Sequence, residues 1–405
     1  MNPVESARES LRSEPSLPSP HGRKRRVCFS LPFAEQLLTG GSGYFGGAEV
    51  RGVAFLRGLA RDASLDVHVV VLGPVRAPVV RDDGITVHFR PDVSFYEGQH
   101  DDVNHSVWGA VDADLYVAFG ANEATAELAR FCGAHGSALV LSVASDISFA
   151  PFVFEGSRQR DAYGTPGHYI WYGLRHAHAI VVQTERQQAM LLTLVGRDGE
   201  VIRNPAPSTI RTTPRTAPQF GGRLLWVGRT DPNKRYEEAL ALAAALPHRP
   251  MIMVCNNIHD ANRHRIDELQ RALPNLMLAD QVALEDMDAL FRFSDVLVNT
   301  SRVEGSPNTF LQAGMHGIPV VSMTVDPDGV LATHGCGRLA DGTPAGLVRT
   351  VEALLTDHTA YAVAAAANAR WLCDRHDPAA RVAELSAVVY RTLSTFPRMR
   401  AAQVA

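Results

Sequence analysis

Short apolar runs alternate with longer amphipathic stretches along most of the chain. In the first half, Val27 to Phe33, Asp66 to Leu72, Ile85 to Phe89, Asp114 to Phe119, Ala138 to Val143 and Ala179 to Gln183 read as strands. They are near-continuously apolar, as strands covered on both faces require. Val50, Val53, Ala54, Leu56 and Leu59 mark one face of a first helix, and further helices are expected over Glu123–Cys132, Gly167–His176 and Glu185–Val195. Thr184 is suited to cap the last of these and Gly196 to stop it. Val201-Ile-Arg-Asn204 closes this half. Pro205 to Gly222 then holds four prolines and four threonines and reads as a linker.

The alternation restarts beyond it. Strands are expected at Arg223–Val227, Met251–Cys255, Asp295–Asn299 and Ile318–Ser322, with an extended segment at Leu276–Leu284. Helices are expected at Tyr236–Leu246, Ala261–Leu273 and Asp286–Phe293, and at about 344–355, 359–372 and 378–394. Strand–helix alternation used twice predicts an α/β protein of two domains that share one architecture. The divisions are a tail over 1–25, a domain over 26–205, the linker 206–222, a domain over 223–376 and a final helix within 377–405.

Composition narrows the class. A chain of 405 residues suits two cores better than one. The 46% hydrophobic and 20% charged content is ordinary for a globular protein, and a net charge of −4 argues against a nucleic-acid binder. Five cysteines without a CxxC pair point to reduced thiols in a cytoplasmic protein, with no zinc site. Met1 to Pro20 is polar, lacks the apolar core of a signal peptide and is expected to be disordered. The basic run Arg23-Lys-Arg-Arg26 is compatible with weak peripheral contact at the inner membrane face, or with a solvated tail.

The chemistry concentrates in Glu304-Gly-Ser-Pro-Asn-Thr-Phe-Leu-Gln-Ala-Gly-Met-His-Gly-Ile-Pro-Val-Val321. It reads as a glycine turn after a strand, a short helix with Ser306 as cap and Pro307 in its first turn, a stop at Gly317, and a second strand. Such a unit aims the helix N-terminus, with roughly half a positive charge, at the carboxyl end of the sheet, and suits a phosphate. Glu304 would repel a phosphate and is better suited to accept from sugar hydroxyls. Together they suggest a nucleotide-sugar. Arg229 and Lys234 lie on another βα turn, Gly228-Arg-Thr-Asp-Pro-Asn-Lys-Arg235, where two cations can hold a diphosphate or simply form a solvated turn; the 304–321 unit favours the former.

Other candidates are weaker. Leu37-Leu-Thr-Gly-Gly-Ser-Gly-Tyr-Phe-Gly-Gly-Ala-Glu49 reads as a flexible glycine loop, either approaching a phosphate or merely turning the chain. Asp146 ends a strand, where it is either functional or a helix cap. Asp112-Ala-Asp114 marks a turn before a strand and is not taken as a metal motif. Tyr44, Phe45, Phe149 and Phe152 could receive an acceptor or serve packing.

Taken together, Gly46-Gly-Ala-Glu49, Val182-Gln-Thr-Glu185, Val201-Ile-Arg-Asn-Pro205, Val227-Gly-Arg229 with Lys234, and the 304–321 unit resemble the GT-B glycosyltransferases, specifically the family 4 retaining enzymes. The resemblance covers roughly Val27 to Arg391. It implies two Rossmann-like domains facing a cleft, with the donor mainly on the C-terminal one and the last helix crossing back to the first. By position, Arg229 and Lys234 would neutralise the donor diphosphate, Gly46, Gly47 and Gly228 would line it, and Glu304 would contact the sugar. Gly305, Ser306, Asn308 and Thr309 would lie at the phosphate and sugar end of the helix. Asp146 stands near where many relatives place an acceptor-side histidine or aspartate. The family signature has two glutamates with seven residues between them, and here Gln312 holds the second, ribose-binding position. The expected function is metal-independent retaining transfer from a nucleoside diphosphate sugar, without a cofactor, to a hydroxyl of a carbohydrate, lipid-linked or small-molecule acceptor. Alternatives are a sugar-nucleotide epimerase, acting without an acceptor, or a nucleotide-sugar-binding protein that has lost catalysis.

Overall fold

Two parallel sheets organise the computed structural model, which describes residues 23–398 except 41–44, 75, 92–99, 208–209, 211, 256–259 and 281. The expected disordered tail to residue 22, the tip of the glycine loop with Tyr44, and the last residues from 399 lie outside the described residues. The first sheet contains β1 (Arg25–Ser30), β2 (Leu65–Leu72), β3 (Val79–Val80), β4 (Thr86–Arg90), β5 (Leu115–Phe119), β6 (Ala138–Ser142), β7 (Ala179–Val182) and β8 (Glu200–Val201). Its order is β3-β4-β2-β1-β5-β6-β7-β8, with only β3 antiparallel. The second runs β11 (Leu276–Asp280), β10 (Met251–Cys255), β9 (Leu224–Gly228), β12 (Val296–Asn299), β13 (Val320–Ser322) and β14 (Gly337–Leu339), all parallel.

The helices on the first sheet are α1 (Glu35–Thr39), α2 (Gly47–Leu59), α3 (His100–Val111), α4 (Glu123–His135), α5 (Gly167–His176) and α6 (Glu185–Val195). Those on the second are α7 (Tyr236–Ala245), α8 (Asp260–Ala272), α9 (Leu284–Arg292), α10 (Asn308–Met315), α11 (Pro344–Thr356) and α12 (His358–Arg375), and α13 (Pro378–Thr395) ends the chain. Strand side chains alternate between faces. Val27 and Phe29 join one core with Val53, Leu56, Leu385 and Val388, whereas Cys28 joins another with Trp108, Phe131 and Leu174. The same split sends Trp226 and Leu225 to opposite cores of the second sheet. α13 therefore completes the core of the first sheet, its Val382 seated on Gly58 of α2.

Several local expectations change. β1 ends at Ser30 because Pro32 has no N–H for the ladder, while its carbonyl still accepts from Leu72 N at 2.7 Å. The stretch from Leu37, expected as a flexible loop, begins inside α1, which Gly40 closes in the left-handed conformation at φ 72°. α3 was not foreseen, because its polar-rich segment has little 3.6-residue periodicity. The linker is tied down: buried Asp295 accepts from the backbone N–H groups of Gln219, Phe220, Gly222 and Arg223 at 2.7–3.0 Å and pairs with Arg215 at 3.3 Å. Arg23 and Arg26 of the basic run are engaged with Asp114 and Asp66 at 3.3 and 2.9 Å. Among the described residues no helix is long and apolar enough to cross a membrane.

Candidate active site

In the second sheet the chain order reverses at β9 and β12, which pair side by side. Open parallel sheets bind ligands outside the carboxyl ends at such a point. The loops leaving these two strands, Arg229–Arg235 and Thr300–Pro307, are stitched together there. Asn233 Nδ2 donates to Val303 O at 2.9 Å and its Oδ1 accepts from Val303 N at 3.1 Å. Thr300 Oγ1 receives the Trp226 indole N–H at 2.9 Å and donates to Lys234 O at 2.6 Å. Asp231 Oδ1 accepts from the Asn233 and Lys234 N–H groups at 3.0 and 3.1 Å. A short turn is thereby held rigid, with Arg229, Lys234 and Glu304 side by side.

Each cation has a carboxylate partner. Lys234 Nζ bonds Glu304 Oε1, and Arg229 pairs with Asp231 at 2.8 Å. Glu304 faces the first sheet, and its carbonyl accepts from Asp146 N at 3.2 Å. Asp146 Oδ1 accepts from Gln187 Nε2 at 2.9 Å, and Arg186 lies 3.6 Å away. Burial raises the Asp146 pKa, and the negative Glu304 adds to the rise. Asp146 is not a cap; Ser145 caps the short 3₁₀ turn over Asp146–Phe149, its Oγ accepting from Ile147 N at 3.3 Å.

The start of α10 corrects another expectation. Pro307, not Ser306, is the N-cap, and no side chain caps the helix. Ser306 instead bridges to the first sheet: its N–H donates to Gln183 Oε1 at 3.2 Å and its carbonyl accepts from Asn204 Nδ2 at 2.8 Å. Asn204 Nδ2 also donates to Asn308 Oδ1 at 2.8 Å, and Asn308 Nδ2 reaches Gly47 O at 2.9 Å. The glycine loop thus meets the start of α10 across the two sheets. Gly305 is buried against the first sheet, where a Cβ would lie 2.0 Å from Gln183 Oε1 and 2.8 Å from Ala144 O. Only glycine fits there.

Residues 221–357 match the family described as glycosyl transferases group 1. The domain built on the second sheet thus carries the group 1 signature of a glycosyltransferase. In fold it is similar to sucrose-phosphate synthase from Thermosynechococcus elongatus, at 15% identity and a TM-score of 0.73, over 92% of this chain and 100% of that one. HepE from Anabaena, solved with UDP, superposes at 16% identity and 0.67 over 91% and 100%. WaaG, a glycosyltransferase involved in lipopolysaccharide biosynthesis, does so at 15% and 0.62 over 89% and 99%. No curated protein matches the sequence. The fold is GT-B.

The expected residues of this glycosyltransferase gather at one place: Arg229, Lys234, Glu304, Gly305, Ser306 and Asn308 on one side, and Asp146, Gly46 and Gly47 on the other. Gly228 ends β9 directly below Arg229. Gly46 N donates to Glu49 Oε2 at 3.0 Å in a capping arrangement; burial raises the Glu49 pKa while the Arg229 charge opposes it. Thr309 and Gln312, one turn apart on α10, are both half-buried. Asp231, Gln183, Asn204, Asn233 and Tyr163 were not singled out. Gln183, Asn204, Asp231 and Asn233 stand inside stretches that the sequence did flag, so the local signal existed but the partner did not. A second bridge was also missed. Asp328, at φ 51°, accepts from the N–H groups of Glu185 and Arg186 at 3.2 and 3.3 Å and pairs with Arg203 at 2.9 Å.

Proposed function

We propose that this glycosyltransferase is a retaining, metal-independent enzyme. It takes a sugar from a nucleoside diphosphate donor to a hydroxyl of a carbohydrate, lipid-linked or small-molecule acceptor. The observation that carries the reading is the convergence of Arg229, Lys234 and Glu304 with the first turn of α10 at the β9/β12 reversal, facing the Gly46–Gly47 loop. UDP in the solved HepE supports a nucleoside diphosphate as leaving group.

Breaking the bond between the anomeric carbon and the phosphate oxygen leaves the electron pair on the diphosphate. Arg229, Lys234 and the N-terminus of α10 would stabilise that charge most in the transition state. Each fixed donor of this kind is worth about 3–4 kcal/mol at best, which is the work a divalent cation does elsewhere. As the donor binds, the diphosphate takes over Lys234, and Glu304 turns to the sugar hydroxyls. The acceptor oxygen attacks on the same face that the leaving group departs from, and its proton passes to the departing phosphate oxygen. Asp146, across from Glu304, would orient the acceptor. Gln312 would accept and donate at the ribose, in place of a carboxylate.

The test is thermal stability of the purified protein with UDP, GDP and ADP and their common sugars, without metal and with EDTA. The expected result is a melting shift with one nucleotide, preserved in EDTA, abolished in Lys234→Ala and diminished for the sugar conjugate in Glu304→Ala. No shift with any of them at millimolar concentration would overturn the reading. Donor turnover without acceptor would point to epimerisation, and binding without turnover would implicate Gln312.

A further inference from the structure

The segment between the 3₁₀ turn and α5 folds into a hairpin that reaches from the first sheet to the second. Its stem is closed by Gly167 N to Gln159 O at 2.8 Å and His168 N to Ser157 O at 3.0 Å. Its tip is fixed by Asp161, whose Oδ1 accepts from Tyr163 N and Thr165 N, both at 2.8 Å, with Gly164 left-handed at φ 88°. A tip built this way is a rigid support, not a loose loop. It carries Tyr163, 47% exposed, over the Arg229 guanidinium, with the carbon of that group 5.1 Å from the ring centroid. Burial raises the Tyr163 pKa, and the Arg229 charge opposes the rise.

We propose that Tyr163 is a positioning residue for the leaving diphosphate, acting through Arg229. An aromatic ring takes the face of a guanidinium and leaves its edge N–H groups in the plane, where a phosphate accepts them in pairs. Asp231 holds one of those groups at 2.8 Å, and the others are left to the anion. Ring and guanidinium come from different lobes, so Asp231 alone holds Arg229 until the lobes meet, and the ring then fixes the plane of the guanidinium. Closure of the cleft would therefore assemble the diphosphate site. The inference rests on the diphosphate reading above and adds to it a residue of the acceptor-side lobe.

The test is calorimetric titration of inorganic pyrophosphate, and of UDP, GDP and ADP, into wild type, Tyr163→Ala, Tyr163→Phe, Arg229→Met and the Tyr163→Ala/Arg229→Met double variant. A half-exposed tip position leaves the melting temperature unchanged. Tyr163→Ala is expected to weaken pyrophosphate binding by about fivefold, as befits a cation–π contact at a half-exposed site. Tyr163→Phe keeps wild-type affinity, and the double variant binds no more weakly than Arg229→Met. Unchanged affinity in Tyr163→Ala, failure of Phe to rescue, or additive losses in the double variant would each overturn the inference while leaving the diphosphate site standing. Absence of binding of any probe to wild type would overturn both.

Discussion

Replacing Gly305 by alanine should disable the enzyme without unfolding it. The added Cβ would lie 2.0 Å from Gln183 Oε1 and 2.8 Å from both Ala144 O and Gln187 Nε2. Ala144 O is backbone and cannot step aside cheaply. Gln183 can move only by giving up Ser306 N at 3.2 Å and Asn204 Oδ1 at 2.9 Å. Overpacking of this kind costs about 1–3 kcal/mol. One or two lost hydrogen bonds add about 0.5–1.5 kcal/mol each. The closed arrangement is thus disfavoured by about 1.5–6 kcal/mol. Each sheet has its own cores, so separating the lobes relieves the clash without opening either core, at the loss of the polar bridges made by Ser306, Asn308 and Asp328. The loss should appear in catalysis: kcat/KM for the donor falls by at least about tenfold, a factor of ten per 1.4 kcal/mol. The melting temperature should stay within a few degrees of wild type, and small-angle scattering should show a larger mean radius. Gln183→Ala added to Gly305→Ala removes the nearer obstacle and should restore part of the activity. Wild-type kcat/KM in Gly305→Ala would refute the argument that this contact belongs to the working conformation. A collapse of the melting temperature would refute the claim that the lobes separate independently.

The second bridge between the lobes gives a milder version of the same effect. Asp328→Ala removes the acceptor for two N–H groups at the start of α6 and the partner of Arg203, and steady-state kinetics should show donor KM raised several-fold with kcat less affected. Burial, with the neighbouring Glu185, raises the Asp328 pKa to about 6, so Asp328 takes up its proton as pH falls through that value. The ion pair with Arg203 weakens there, and the wild-type donor KM should rise below about pH 6 while that of Asp328→Ala stays flat. His376 gives a stability test. Burial holds its pKa down to about 3, with Nδ1 at 2.6 Å from Asn204 O. Below the unfolded value of about 6.5 the unfolded chain binds a proton that the native chain does not, so stability falls by about 1.4 kcal/mol per pH unit from this group alone. Denaturant titrations from pH 7 to 5 should show a shallower decline for His376→Gln than for wild type, and parallel curves would refute the assignment.

How much of this was legible in the sequence depends on the range of the interaction. Gly167–His176, Glu185–Val195 and Met251–Cys255 fall where the apolar pattern puts them, because caps, glycine stops and continuous apolar runs act over a few residues. That Arg229, Lys234 and Glu304 come together was legible for the same reason, since each lies on the loop leaving a strand whose carboxyl end faces the crevice. Local rules also failed locally. Ser306-Pro307 has the composition of a cap, but Ser306 is drawn into the contact with Gln183, 123 residues away, so the helix starts without one. What only the tertiary structure decided is the pairing across the cleft: Asn204 with Asn308, Asp328 with the start of α6, and Tyr163 over Arg229. Each of those residues is an ordinary polar or aromatic group in its own stretch. Its role comes from a partner that folding brings from the other sheet, and periodicity or propensity along one segment holds no information about that distance.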